Sequence, residues 1–200
     1  MKSKNETRIG NSPMPFIIAT FFSLGLGAGC LTAHFFKTSL YAPILGFYQT
    51  LLTQLPTVDI DSSTLFLLAC KKQIKYFLLL WFFSFTNIWK YYYRIFLAYL
   101  GFQNGLLLSF CLLMSGLPGI AGFLCFILPQ SLLYVPSYLI SIYRGQLIYE
   151  NLTKDSLCTK KSQLIIHQLP SFLVAVSLLL LGCLLEGYLN TPLLRMFFKI

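Results

Sequence analysis

The chain has 200 residues, 56% of them hydrophobic and only 10% charged, with a net charge of +9. A soluble domain carries about 25% charged residues, so a water-facing shell is excluded, and the hydrophobicity excludes intrinsic disorder. The composition defines an all-α integral membrane helix bundle, because only helices and closed barrels satisfy their backbone in lipid.

Residues 1–14 form a polar, basic tail carrying Lys2, Lys4 and Arg8, and residues 15–200 form a single membrane domain. The first span is 15–36, 22 residues without a formal charge, close to the ~20 that cross ~30 Å of hydrocarbon. Its apolar run is too long for a signal peptide, so it is expected to be retained. Residues 37–72 are less apolar. Tyr41, Leu45, Tyr48, Leu52 and Leu55 recur at helical spacing, which predicts an external amphipathic segment lying in the interface. Ser62–Lys75 is expected to be helical, with Asp61, Ser62 and Ser63 as N-cap candidates and Lys71, Lys72 and Lys75 at its end, where they suit the helix dipole and snorkel to headgroups.

Four further spans follow, at 73–89, 94–116, 117–143 and 164–185, for about five transmembrane helices in all. The second is short, and Lys75 and Lys90 flank it. Tyr91, Tyr92 and Tyr93 form an interfacial belt. The fourth contains Pro118, Pro129 and Pro136. Residues 144–163 form a cytoplasmic loop. After the fifth span, Glu186 is expected at the outer interface beside Tyr188, and Gly187 and Pro192 are expected to end the helix. With the N-terminus cytoplasmic, nine bases lie inside and six outside, and the C-terminus is external.

Chemistry is sparse. His34 and His167 stand alone, and no HExxH, GxSxG or phosphate-loop motif is present, so no enzyme, cofactor or metal site is expected. The six cysteines form no CxxC and are read as small packing residues. The bases are dispersed among spans, which suits membrane lipids and topology and argues against nucleic acid. Gly25/Gly29 and Gly101/Gly105 are GxxxG pairs, the spacing that lets two backbones approach, within the chain or in a homo-oligomer. A transport path needs ionisable groups inside the bundle. Glu186 and the Gln103/Asn104 pair are the only such candidates, so a small permease or transporter subunit stands as the alternative reading.

Residues 128–140 read LPQSLLYVPSYLI, with Pro129, Gln130 and Pro136. Residues 77–81 read FLLLW, residues 101–105 GFQNG, and residues 185–194 LEGYLNTPLL with Glu186 and Pro192. In order and spacing these resemble the stage II sporulation protein M family across nearly the whole chain. Many members carry a glutamate where Tyr134 stands, and their second-to-third connection is less basic than Lys90 and Arg94 make it here. The resemblance implies a non-catalytic scaffold at the septal and engulfing membranes of an endospore-forming bacterium. It would anchor external partners of the cell-wall hydrolase and transglycosylase type that remodel peptidoglycan. Tyr41 and Tyr48, in the largest external segment, are the candidate partner-interface residues.

Overall fold

A computed structural model describes residues 14–37, Gly46, 62–154 and 161–198. Tyr41 and Tyr48 lie outside the described residues. Among the described residues the fold is built from helices α1 Met14–Phe35, α2 Ser62–Ser84, α3 Trp89–Ser115, α4 Pro118–Lys154 and α5 Lys161–Phe198. No strand occurs among the described residues.

Three helical segments are long and apolar enough to cross a membrane: Met14–Phe35, Trp89–Leu113 and Gln168–Leu189. A fourth crossing is made if Pro118–Cys125 and Ile127–Thr153 count as one span, bent by 49°. The bend has a local cause. A proline inside a helix lacks an N–H and its ring crowds the carbonyl four residues back. For Pro129 that residue is Cys125, where the straight segment ends. Pro136 sits in the same helix without a second break.

The second element differs from its expected bounds. The sequence begins a span at 73, whereas α2 starts at Ser62 and stops at Ser84. The three lysines therefore fall inside the helix rather than at its end, which is why α2 does not pass as an apolar span. Two other boundaries move outward. The loop expected at 144–163 is helical as far as Lys154, because Ile148 is fully buried and Gly145 lies against the Trp89 ring. The break expected at 186–192 is absent, and α5 runs through Pro192. Gly187 is pressed onto the Phe66 backbone there, and packing of this kind overrides weak helix propensity.

Two lobes build the bundle. In the first, α1 packs chiefly along α3. In the second, α4 and α5 pack together and α2 lies against both. The lobes join where α3 meets α4. α2 and α3 form an antiparallel hairpin in register, with Phe83 stacked on Tyr92 at 4.2 Å and Tyr76 beside Tyr99 at 6.0 Å. The α3–α4 turn needs Gly116, whose φ of 62° is the left-handed region that glycine adopts without strain. Its N–H caps α3 on the Leu112 carbonyl at 2.9 Å.

Candidate functional site

The four GxxxG glycines meet at one crossing. A Cβ on Gly25 would strike the Ala98 backbone, and one on Gly29 would strike the Phe102 carbonyl and Leu106. From the other helix, Gly101 faces Phe22 and Leu26, and Gly105 faces Leu26. The two motifs thus interlock within the chain, α1 against α3, and Cys30 Sγ adds a weak contact of 3.5 Å to the Gly105 carbonyl. Gly27, between the first pair, has open space in front of it.

A polar seam lies in the second lobe. Tyr134, Ser137, Tyr138 and Ser141 occupy one face of α4, at the i, i+3, i+4, i+7 spacing of a single helical stripe. Ser137 and Ser141 are 0% and 2% exposed, so lipid and water are both excluded from them. An unsatisfied polar group there costs several kcal/mol, and each of these side chains has a partner. Ser137 Oγ donates to the Ala175 carbonyl of α5 at 2.7 Å. Ser141 Oγ donates to the Ser137 carbonyl at 2.9 Å and accepts from Trp81 Nε1 of α2 at 3.1 Å. Tyr138 donates its hydroxyl to Gln73 Oε1 of α2 at 2.8 Å. Towards the lower end, Trp89 Nε1 donates to Gln146 Oε1 at 3.2 Å, and Gln146 Nε2 donates to Glu150 at 2.8 Å.

The upper end of the seam holds the carboxylate. Tyr134 donates its hydroxyl to Glu186 Oε2 at 2.6 Å and lies 3.4 Å from Cys183 Sγ. Its ring rests on Gly182, where a Cβ would collide with it. Glu186 is half-buried and turned towards α4, three residues before the end of the apolar segment Gln168–Leu189.

Not every motif residue joins this seam. Pro129 bends α4, and Pro136, two residues after Tyr134, lies on the opposite side of α4, while Gln130 is half-buried one turn before Tyr134. Pro192 is part of the α5 backbone. Among the described residues no cluster of three metal-ligating side chains is present. The serines of the seam, Gly145 and Gly182 were not singled out by sequence reasoning. Their signal was available, since small and hydroxyl residues at 134, 137, 138, 141 and 145 repeat at helical period in an apolar run.

The fold and the seam define a helical membrane bundle whose internal polar groups fasten helices to one another. Residues 18–191 match the family described as Stage II sporulation protein M, so the chain belongs to that family and is a sporulation-related membrane protein. No curated protein and no solved structure matches it.

Proposed function

We propose that the protein is a non-catalytic membrane scaffold. It recruits and anchors peptidoglycan-remodelling partners at the septal and engulfing membrane during endospore formation. One observation carries the reading beyond family membership: the carboxylate of Glu186, the one acid in the three unbroken candidate spans among the described residues, is tied to Tyr134 across a packed helix interface. A group used as a helix fastener does not need to exchange protons or ions, and hydrogen bonds of this type between helices add about 1 kcal/mol each to a bundle. The remaining seam hydroxyls are committed in the same way, which suits a rigid platform.

The alternative, a permease or transporter subunit, rests on the same Glu186, because an ionisable group inside a span is a functional candidate by default. The two readings separate in one experiment. A fluorescently labelled cell-wall hydrolase is followed in sporulating cells with and without this protein. The scaffold reading expects its septal signal to disperse when the protein is removed and to return on complementation. An unchanged signal contradicts it.

A further inference from the structure

The α1–α3 crossing ends at a pair of cations. Phe21 faces Arg94, Gly25 faces Ala98 and Gly29 faces Phe102, so the two helices run parallel at a constant offset, in steps of four residues. At the two glycine steps the backbones touch. One step nearer the helix starts, a phenyl ring replaces the glycine, and the Arg94 guanidinium lies over it at 5.7 Å. Lys90 stands one turn before Arg94 on the same side of α3, with about 5–6 Å between their Cβ atoms. Its ammonium lies over the Tyr149 ring of α4 at 5.1 Å. α1 and α4 both pack on α3 and have no comparable contact with each other. The two cations therefore occupy the strip of α3 between them, one resting on a ring of α1 and the other on a ring of α4.

A ring face attracts a cation through its quadrupole but accepts few of its in-plane N–H groups. Arg94 Nε is closed to solvent and meets no acceptor among the described residues. Height matters as much as charge. The apolar segment Trp89–Leu113 has 25 residues, about 37 Å of helix against ~30 Å of hydrocarbon, so its ends reach the headgroups. Lys90 and Arg94 lie one and five residues from its start, and their long stems cover the remaining distance to that level. A phosphodiester at this height offers one negative charge and two non-ester oxygens, enough to accept from both side chains. Tyr91 and Ile95, exposed on the same turns of α3, give acyl chains an apolar surface beside it.

We propose that Lys90 and Arg94 hold the phosphate of an anionic phospholipid between α1 and α4. The lipid is a structural ligand. α1 belongs to one lobe and α4 to the other, and a phosphate held by both cations ties the lobes where protein contact between them is sparse. An anionic headgroup is favoured over a zwitterionic one, whose own cation competes for the phosphate.

The test is native mass spectrometry of the full-length protein, released from detergent micelles holding equal amounts of phosphatidylglycerol and phosphatidylcholine. Phosphatidylglycerol is expected to be retained about tenfold over phosphatidylcholine, as for charge-assisted hydrogen bonds. The preference should fall towards unity in Arg94→Gln and in Lys90→Gln. Lys90 is exposed, so its change serves if Arg94→Gln does not fold. Lys37→Gln, an exposed base just past the far end of α1, should keep the preference. Equal retention of the two lipids in the unchanged protein overturns the proposal, as does a preference that survives both cation changes. An equal loss in Lys37→Gln would reduce it to general surface charge and overturn it as well. Glu6, in the segment before α1, is the chain's own competing acceptor. Retention of phosphatidylglycerol that appears only in Glu6→Gln would assign the cations to that carboxylate instead.

Discussion

Tyr134 and Glu186 join α4 to α5 through a hydrogen bond of 2.6 Å, formed by a phenol that donates and a carboxylate that accepts. The bond is backed by shape, since Gly182 and the Tyr134 ring leave no room between them. Tyr134→Phe keeps the ring and removes the donor, leaving a half-buried carboxylate short of a partner. The expected loss is about 1–3 kcal/mol. Glu186→Gln keeps an acceptor for the tyrosine and should lose less. Thermal unfolding in detergent micelles checks the ranking, with Tyr134→Phe the lower of the two.

The α1–α3 crossing gives a sharper contrast. Gly→Leu at Gly25, Gly29, Gly101 or Gly105 drives a side chain into the facing backbone. Each should destabilise the protein by about 1–3 kcal/mol, the usual range for overpacking. Gly27→Leu points into open space and should be tolerated. Membrane levels and unfolding temperatures of the five single variants measure this, and an equal effect at all five positions would contradict the crossing.

Pro129 makes a geometric prediction. Pro129→Ala restores an N–H able to bond the Cys125 carbonyl and removes the ring that crowds it, so the 49° bend should relax. Spin labels at Leu117 and Leu147, both exposed, bracket the bend. Straightening should lengthen their separation by about 3 Å, from the 1.5 Å rise per residue on either side. An unchanged distance would place the cause of the bend in tertiary packing instead.

Much of this architecture was readable in advance, and the exceptions share a cause. The first span, free of charge from 15 to 36, matches α1 to within a residue at each end because nothing competes with its apolar pattern. The GxxxG spacing was visible, but only the fold shows which helices it joins. α2 begins at Ser62 as its N-cap residues suggested, but the sequence split it at the three lysines into a helix ending at 75 and a span from 73, whereas one helix runs through them to Ser84. The continuation of α5 past Glu186 was missed for a related reason: Gly187 and Pro192 are poor helix formers, yet contact with Phe66 holds the turn. The Tyr134–Glu186 pair was not legible because its partners lie 52 positions apart, and no local pattern reports a long-range contact.

The five-span expectation from the sequence puts nine bases on one side and six on the other, which predicts a cytoplasmic N-terminus and an external C-terminus. A reporter fused after Ile200 should be active on the external side, and one inserted between Lys154 and Lys161 on the cytoplasmic side. Reporters that score on the same face would remove a crossing between the two sites and with it the orientation assigned here.

The central claim is the proposed recruitment, and Tyr41 and Tyr48 are the residues the sequence suggests for its recognition surface. Tyr41→Ala/Tyr48→Ala should still insert, since both positions fall outside the apolar runs that the sequence assigns to the membrane. Aromatic side chains commonly anchor interfaces, so the double change should abolish recruitment of an external hydrolase. Glu186→Gln should leave recruitment nearly intact, because the Tyr134 contact can survive the loss of charge. The decisive measurement is the septal fluorescence of a labelled hydrolase in sporulating cells expressing each variant at matched membrane levels. Loss of septal signal with the double tyrosine change, and retention with Glu186→Gln, is the result predicted. Normal recruitment by the double tyrosine variant together with loss in Glu186→Gln would contradict the scaffold account and favour transport.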